Sequence, residues 1–344
     1  MSREDFLKHY EWLSKNLVET SQKEFELPDV SAKRVAQMLE ASVPGGKLNR
    51  GLTVVHVAQN MIPYALSDAE LRLVAILGWT IEWMQASFLV ADDIMDSSVT
   101  RRGAPCWYLV EGIGNAAIND SLILLTQMEF ILDRHLVNHP QYVNMRKILV
   151  ETTYETELGQ LLDLTTQPPG ATVVDLSLYT IQRYRQIVKY KTAFYSFVAP
   201  VALGLYFAGI TNETAHKKVR EICLLMGEYF QIQDDFLDCY GAPEVIGKIG
   251  TDIEDAKCSW LVVQALDRAN QTQKSVLKAD YGKKAPDCVA RVKKIYKELN
   301  LEKVFHDYEE SAVQTIRDKI KNLNDSLLEG VCSGLLKKIY KREK

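Results

Sequence analysis

The sequence lacks the residue groupings that many enzyme classes use for catalysis. Its six cysteines are scattered through 344 residues without a CxxC pair. In a chain of this length, that pattern is typical of reduced, mostly buried thiols in an intracellular protein. The six histidines are scattered as well, and no Ser/His/Asp or Cys/His set stands out. We therefore expect a cytoplasmic protein.

A strong charge bias and long apolar runs are also missing. The net charge is -4, and the closest approach to a basic run is the C-terminal LLKKIYKREK, which argues against a nucleic-acid partner. The most apolar long stretch, Phe197–Ile210, is broken by proline and glycine. It is shorter than the roughly 18 apolar residues that a membrane span requires. The N-terminus carries acidic residues early and has no signal-peptide pattern. We expect neither a nucleic-acid partner nor a membrane span.

Strand signals are nearly absent, and helical periodicity dominates the sequence. Four long segments place apolar residues three or four positions apart, as one face of a helix requires: 71–96, 142–165, 177–206 and 219–241. No shift of composition marks a domain boundary, and the chemical motifs lie in both halves of the chain. The sequence therefore predicts an all-α fold forming a single large domain over residues 1–344.

Two aspartate clusters share the pattern DDxxD. The first comprises Asp92, Asp93 and Asp96, and the second comprises Asp234, Asp235 and Asp238. The outer aspartates of each cluster are four residues apart and so share a helix face. A single cluster of this kind could be a solvated acidic face or a helix cap. Two copies with identical spacing, each directly after an apolar run, favour a functional role, because unneutralised carboxylates so close together repel one another.

The ligand type narrows the choice of metal. Carboxylates are hard oxygen donors, and no histidine or cysteine lies at ligand spacing beside them, which favours Mg²⁺ or Mn²⁺ over zinc. Mg²⁺ commonly binds one or two carboxylates together with substrate phosphates. Cationic side chains suited to a diphosphate lie near the clusters and in turns: Lys47, Arg50, Arg101, Arg102, Lys191, Lys248 and Lys257. The sequence therefore predicts a magnesium site for a phosphate-bearing ligand.

These segments resemble the trans-isoprenyl diphosphate synthases, and most of all the eukaryotic farnesyl diphosphate synthases. The resemblance runs from about Gly45 to the last residues in the order of the family. It rests on LVADDIMDSSVTRRG, FQIQDDFLD, GGKLNRG, GQLLDL, YKTAFYSF, GKIGTDIEDAKCSWL and KIYKR. It implies the isoprenoid synthase fold, an all-α domain around a central cavity that usually forms a homodimer.

The resemblance also implies roles for the matching residues. Three Mg²⁺ ions would be held on the allylic diphosphate by Asp92, Asp96 and Asp234, with Asp93, Asp235 and Asp238 in support. The same diphosphate would be gripped by Arg101, Lys191 and Lys248. Isopentenyl diphosphate would be bound by Lys47, Arg50, Gln85, Arg102 and Arg342. The developing cation would be faced by Lys191, the carbonyl of Thr192 and Gln231. The matches at Tyr195, Gln160, Asp163 and Asp252 are less specific.

The implied reaction condenses isopentenyl diphosphate with dimethylallyl and geranyl diphosphate to give farnesyl diphosphate. In the animal and fungal enzymes that this sequence resembles, the fourth and fifth positions before the first cluster are typically aromatic and limit product length. Here Phe88 is aromatic and Ser87 is not. Either a neighbour such as Met84 or Met128 fills the space, or products extend to geranylgeranyl diphosphate. We expect farnesyl diphosphate as a main product, with geranylgeranyl diphosphate synthesis, alone or together with it, as the alternative.

Two other classes of protein share some of these features. A terpene cyclase would share the first DDxxD but would normally differ at the second, and it needs no isopentenyl site of the kind that GGKLNRG and Arg102 suggest. A non-catalytic scaffold homologue would be expected to lose metal-binding aspartates, whereas all six are present. Both alternatives are therefore less compatible with the residues than a prenyltransferase.

Overall fold

A computed structural model describes residues 1–168, 173–242 and 250–341. Helices account for nearly all of its regular structure, which confirms the all-α prediction. The chain begins with four helices: α1 (Arg3–Glu24), α2 (Asp29–Ser42), α3 (Asn49–Met61) and α4 (Asp68–Met95). Helix α4 ends at the first aspartate cluster. A short hairpin follows, formed by β1 (Thr100–Arg101) and β2 (Ala104–Pro105). The next helices are α5 (Ala117–Leu136) and α6 (Tyr142–Thr166).

The remaining helices include one unusual segment. Between α7 (Ile181–Val188) and α8 (Ala199–Phe207) lies a π-helix over Lys189–Val198. The long helix α9 (Glu213–Tyr240) carries the second aspartate cluster. The last helices are α10 (Trp260–Arg268), α11 (Gln271–Asp280), α12 (Pro286–Glu298), α13 (Leu301–Lys321) and α14 (Ser326–Ile339). Short 3₁₀ turns occupy Trp107–Leu109, Gly114–Ala116 and Leu176–Leu178.

The chain divides into two compact units, each assembled from two separate stretches. Unit 1 comprises Met1–Thr153 and Tyr195–His216, and unit 2 comprises Tyr154–Phe194 and Lys217–Lys344. The first aspartate cluster belongs to unit 1 and the second to unit 2. The expectation of a single domain over residues 1–344 stays a prediction.

The core of unit 1 is built around α4. The rings of Phe6 and Trp79 stack with their centroids 4.4 Å apart, and Trp83 packs edge-on against Trp79. Helices α3 and α4 approach closely where two glycines meet, because a Cβ on Gly78 would lie 2.6 Å from the carbonyl oxygen of Gly51. A side chain at either glycine would push the helices apart, so the close contact that brings α3 against α4 depends on both.

Helix α4 is also long and apolar enough to cross a bilayer by length and composition. However, 83% of its most apolar window is buried inside the structure. Its apolar surface is therefore already covered by protein, as expected for a core helix.

The core of unit 2 is rich in aromatic rings. Phe236 of α9 stacks on Phe305 of α13 with a centroid distance of 3.9 Å and nearly parallel planes. Trp260, at the start of α10, packs edge-on against Phe305. This cluster holds α9 immediately beside its aspartates, so the second DDxxD lies on a rigid element.

The predicted segments agree with the observed helices except in one place. The segments 71–96, 142–165 and 219–241 correspond to α4, α6 and α9, with boundaries that differ by a few residues. The segment 177–206 is not one regular α-helix, because the π-helix interrupts it. A π-helix widens the backbone turn, and such segments are frequent at functional sites.

Candidate active site

The first aspartate cluster lies at the C-terminal end of α4. Its middle member, Asp93, is 3% exposed and accepts hydrogen bonds from Arg101 Nη2 at 2.5 Å and Arg101 Nε at 3.0 Å. Asp92 is partly exposed, with its Oδ2 atom 3.6 Å from Arg101 Nη2. Burial alone would lower the pKa of Arg101, but the ion pair with Asp93 outweighs it and raises that pKa. Arg101 therefore stays charged and neutralises part of the cluster.

The hairpin β1–β2 determines where the two arginines point. Arg102 has φ +56° and Gly103 has φ +79°, so the turn has two consecutive residues in the left-handed region, as tight hairpins require. The hairpin is anchored by Tyr108, whose hydroxyl donates to the Ser98 carbonyl at 2.8 Å. Arg101 is thereby directed to the aspartates, whereas Arg102 turns towards the loop before α3.

Arg102 lies against the glycine pair of the loop SVPGGK. Its Nη1 atom donates to the Ser42 carbonyl at 3.3 Å, and a Cβ on Gly46 would lie 2.9 Å from Nη2. Lys47 follows the glycines and is exposed. The absence of side chains at Gly45 and Gly46 therefore leaves room for the guanidinium of Arg102. Lys47 is the next residue of that loop, so the two cations are close to each other along it.

Arg50, in the first turn of α3, is held by several groups. It donates to Ser196 Oγ at 2.7 Å and to Tyr195 Oη at 3.2 Å, and it lies 4.5 Å from the centre of the Tyr195 ring. The Gln85 side chain, oriented so that both of its polar atoms are satisfied, accepts from Arg50 Nη1 at 2.8 Å. Two predicted isopentenyl ligands, Arg50 and Gln85, are thus in direct contact.

The second cluster repeats the arrangement of the first within α9. Its middle member, Asp235, is 5% exposed and accepts from the Trp260 backbone N–H at 2.7 Å and from Gln231 Nε2 at 3.0 Å. Burial raises the pKa of Asp235 to about 7. Asp234 and Asp238 are partly exposed, and Asp238 accepts from the Asp252 backbone N–H at 3.1 Å.

Each cluster therefore has one buried aspartate with polar partners and two partly exposed aspartates a helical turn apart. Within the described ranges, no three carboxylate, imidazole or thiol groups form a ready-made metal site. Pairs of hard oxygen donors such as Asp92 with Asp96 nevertheless fit Mg²⁺, which takes one or two protein carboxylates and completes its shell with water and phosphate oxygens. The donor chemistry of both clusters is compatible with that ion.

A second cationic group lies in unit 2 around Asp163. Lys191 Nζ lies 2.6 Å and Lys257 Nζ lies 3.5 Å from Asp163 Oδ2. Burial alone would raise the pKa of Asp163, but the two ammonium groups outweigh it and lower that pKa. The backbone of Lys191 approaches α6 so closely that a Cβ on Gly159 would lie 2.1 Å from its nitrogen. Gly159 therefore lets the π-helix place Lys191 beside Asp163.

Thr192, next to Lys191, connects the π-helix to the second aspartate cluster. Its hydroxyl donates to Gln231 Oε1 at 3.0 Å, and the Gln231 amide donates in turn to Asp235. The predicted Thr192 and Gln231 are therefore adjacent. The Gln231 amide is oriented by a contact at each end, because its oxygen accepts from Thr192 and its nitrogen donates to Asp235.

The two residues expected to limit product length differ in their surroundings. Ser87 is 4% exposed, and its hydroxyl donates to the Ser121 carbonyl of α5 at 2.8 Å. Phe88 is partly exposed and packs edge-on against Tyr195. Met84 and Met128, the neighbours considered as fillers, are both fully buried.

Two predicted site residues, Lys248 and Arg342, lie outside the described residues. Two residues that contact the predicted ligands were missed: Ser196, which accepts from Arg50, and Glu82, which is 2% exposed and lies next to Gln85. A single acidic residue inside the apolar run LGWTIEWMQA was the available signal. A carboxylate in such a run is rarely buried without partners.

Comparison with known proteins gives consistent matches. The family model described as Polyprenyl synthetase matches residues 32–299. Farnesyl pyrophosphate synthase of Candida albicans is 47% identical, covering 100% of this chain and 98% of the relative. The enzyme of the same name from Gallus gallus is 46% identical, covering 99% and 93%. A solved structure of T. brucei farnesyl diphosphate synthase complexed with risedronate has a TM-score of 0.92 at 35% identity and covers 100% of both chains.

The pair of lysines around Asp163 leads to a stability prediction. Asp163→Asn should lower the free energy of unfolding at pH 7 by about 1–3 kcal/mol, because two partly buried ammonium groups lose their carboxylate. The folded pKa of Asp163 is lowered, so its contribution is complete above the unfolded pKa of roughly 3.9 and is lost as the pH falls further. Denaturant unfolding at pH 7 and at successively lower pH measures the difference.

The matched control is Asp307→Asn. Asp307 pairs with Lys303 at 2.6 Å, but both side chains are 65% exposed, so this loss should be within about 1 kcal/mol. Equal small losses for both variants would contradict the role assigned to Asp163.

Proposed function

The chain belongs to the polyprenyl synthetase family, and on that premise we propose that it is a Mg²⁺-dependent prenyltransferase. It joins isopentenyl diphosphate to dimethylallyl diphosphate and then to geranyl diphosphate, giving farnesyl diphosphate. The observation that carries the proposal is the repeated DDxxD, in which the outer aspartates stay partly exposed while the middle one is buried with polar partners. The full-length similarity to farnesyl pyrophosphate synthases supports the same product.

In this proposal Asp92, Asp96 and Asp234 hold three Mg²⁺ ions, with Mn²⁺ as a possible substitute. Bound Mg²⁺ neutralises charge on the diphosphate and makes it a better leaving group. Asp93, Asp235 and Asp238 support the ligands. The carboxyl groups of Asp93 and Asp235 are already bound by protein donors. These two residues therefore act by fixing the ends of α4 and α9, which carry the metal ligands.

The cationic residues divide between the two substrates. The allylic diphosphate is bound by Arg101, Lys191 and Lys248. Isopentenyl diphosphate is bound by Lys47, Arg50, Gln85, Arg102 and Arg342. The contact of Gln85 with Arg50 and the position of Arg102 beside the loop of Lys47 support the second group. Guanidinium groups suit this task because their planar donors match phosphate oxygens in pairs.

The chain needs to supply no nucleophile for this reaction. The allylic carbon–oxygen bond breaks, the isopentenyl double bond attacks the resulting cation, and a proton is lost to the released pyrophosphate. Lys191 holds the leaving diphosphate, while Thr192 and Gln231 present oxygen atoms that can stabilise positive charge. The hydrogen bonds from the Thr192 hydroxyl to Gln231 and from Gln231 to Asp235 keep the Gln231 amide oriented, which removes the cost of reorienting its dipole during the reaction.

We also propose that the enzyme acts in the cytoplasm as a homodimer. All six cysteines are free thiols, as a reducing compartment requires. One face of α6 exposes apolar side chains at helical spacing: Val143, Val150, Tyr154, Leu158 and Leu161. An exposed stripe of this length is unusual on a monomer and marks an interaction surface. A second copy of the chain is the occupant that accounts for it.

The central prediction is that the two roles of the aspartates can be separated. Wild-type protein supplied with geranyl and isopentenyl diphosphates should release pyrophosphate only when Mg²⁺ is present. Asp92→Asn should reduce this release at least about 100-fold with little loss of stability, because Asp92 is a partly exposed metal ligand. Asp93→Asn should mainly lower thermal stability, because it leaves Arg101 partly buried beside a weaker partner.

A coupled pyrophosphate assay and thermal unfolding separate the two effects. Unchanged turnover in Asp92→Asn would refute the metal assignment. Absence of any pyrophosphate release by the wild-type protein would instead favour the scaffold alternative. Release from the allylic substrate alone, without isopentenyl diphosphate, would indicate a cyclase.

Product length gives a separate prediction at Ser87. With geranyl diphosphate as the starter, the wild type should form farnesyl diphosphate. Ser87→Phe should shift products towards shorter chains if the ring reaches the growing chain. Ser87→Ala is the matched control, since it removes the hydrogen bond to Ser121 without adding bulk. Its products should match the wild type, with a loss of about 1 kcal/mol in stability.

Chromatography of the dephosphorylated products measures both variants. A folded Ser87→Phe enzyme with unchanged products would show that this position does not limit chain length. The geranylgeranyl alternative requires a twenty-carbon product from farnesyl and isopentenyl diphosphates, and it fails if none is formed by the wild type.

The dimer proposal predicts an assembly of twice the chain mass of 39.1 kDa. Val150→Glu should convert it largely to monomer, because a charge would be buried in the apolar interface. Val30→Glu, at an exposed valine on α2, is the control and should leave the dimer intact. Light scattering measures the mass, and a wild-type monomer at micromolar concentration would contradict the proposal.

A further inference from the structure

Glu82 is a buried carboxylate to which the proposed reaction assigns no role. It is 2% exposed and lies within the apolar helix α4, ten residues before the first metal-binding aspartate. Its Oε1 atom accepts from the Gly51 backbone N–H at 2.8 Å, and its Oε2 atom lies 3.2 Å from the Gln85 side-chain nitrogen. Both oxygens therefore have an N–H partner, and the Gly51 N–H together with the charges of Arg50 and Arg102 favours the ionised form of the carboxylate.

The carboxylate determines which way the Gln85 amide points. An ionised carboxylate can only accept hydrogen bonds, so the amide nitrogen must face Glu82. The amide oxygen is then left to face Arg50, where it accepts from Nη1 at 2.8 Å. Were the amide reversed, its NH₂ group would face the guanidinium donors and one hydrogen bond would be lost on each side.

The remaining donors of Arg50 are fixed by other groups of the same unit. Ser196 Oγ accepts from Nε at 3.1 Å and from Nη2 at 2.7 Å, and the ring of Tyr195 covers one face of the guanidinium. Gln85 is thus the partner that fixes the Nη1 side. Because the amide of Gln85 lies between Glu82 and the guanidinium, Glu82 acts on the Arg50 side chain through Gln85.

Glu82 also interacts electrostatically with Arg50 and Arg102. Burial raises the pKa of Glu82, while the Gly51 N–H and the charges of Arg50 and Arg102 oppose that rise. Burial likewise lowers the pKa of Arg102, and Glu82 acts in the opposite sense. The carboxylate therefore offsets the mutual repulsion of the arginines before any anion is bound.

We propose that Glu82 is a positioning residue for isopentenyl diphosphate, holding Arg50 through Gln85 in the orientation that receives the diphosphate. The inference rests on the proposed function, because it takes the Arg50 group as the isopentenyl site. Glu82 touches no substrate in this scheme. Its effect is to hold the guanidinium of Arg50 in one position, so that binding does not have to order that side chain.

The orientation of Gln85 and the charge of Glu82 predict opposite changes in the Kd for isopentenyl diphosphate when Glu82 is replaced by Gln. Removing a negative charge near an anion site would by itself strengthen diphosphate binding. Losing the acceptor that orients Gln85 would weaken it, because a glutamine at position 82 can present an NH₂ group to the Gln85 amide. We expect orientation to dominate and the Kd for isopentenyl diphosphate to rise about tenfold, the usual effect of losing a hydrogen bond to a charged group.

The experiment is calorimetric titration of the full-length protein with isopentenyl diphosphate in the presence of a chelator, so that metal-dependent binding does not contribute. Glu11→Gln is the matched control, since Glu11 is exposed on α1 of the same unit and the charge change is the same. In steady-state assays the KM for isopentenyl diphosphate should rise about tenfold while the KM for geranyl diphosphate stays within about twofold. A general loss of structure would change both.

A double-mutant cycle tests the route through Arg50. Arg50→Lys keeps the charge but removes the planar fork, so Glu82→Gln should change the Kd of that variant by less than about twofold. A purely electrostatic Glu82 would have the same effect in both backgrounds. Should Glu82→Gln fail to fold, Gln85→Met breaks the same connection with Glu82 left in place, and it should raise the Kd similarly.

The outcomes are distinct. A Kd in Glu82→Gln, or in Gln85→Met, that is unchanged or tighter overturns the positioning role. Equal effects of Glu82→Gln with and without Arg50 overturn it as well. If the wild-type protein does not bind isopentenyl diphosphate, the proposed function itself fails.

Discussion

Repulsion between neighbouring carboxylates is the constraint around which both aspartate clusters are organised. Three aspartates within five residues cannot all be buried as anions without compensation. In unit 1 the buried Asp93 is compensated by a guanidinium, and in unit 2 the buried Asp235 is compensated by a backbone N–H and an amide. The compensation differs in charge, and so does its effect. Asp93 is paired with a full positive charge, whereas the neutral donors of Asp235 leave its pKa raised to about 7.

Close backbone approach is what brings the compensating groups into range. Gly51 and Gly78 allow α3 to lie against α4, and the Gly51 N–H then reaches Glu82. Gly159 similarly allows the π-helix to approach α6, so that Lys191 reaches Asp163. In both places a missing Cβ occurs together with a carboxylate that has little exposure to solvent. The polar contacts of the site therefore depend on packing in the core beneath it, since any residue larger than glycine would separate the helices that carry the partners.

Local patterns in the sequence were sufficient for the long helices and for the metal-binding character of the clusters. Periodicity marks α4, α6 and α9, and the i, i+4 spacing alone places Asp92 with Asp96 on one face. What could not be predicted depends on partners distant in the chain. One oxygen of the buried Asp235 accepts from the backbone N–H of Trp260, which lies 25 residues later, and no local pattern identifies that partner. The π-helix could not be predicted either, because its residues have the periodicity of an ordinary helix.

Ser87 shows how one observation changes the meaning of a sequence difference. From the sequence, a serine at this position is a missing ring, and the only question is what fills the space. The hydrogen bond to the Ser121 carbonyl, 34 residues away, gives the serine a positive role in joining α4 to α5. A phenylalanine there would lose that hydrogen bond as well as occupy volume between α4 and α5, so its cost in this chain includes both the lost contact and overpacking. Product length and the packing of α4 on α5 are therefore coupled at this position. A change in product length in a Ser87 variant can be interpreted only when the stability of that variant is measured too.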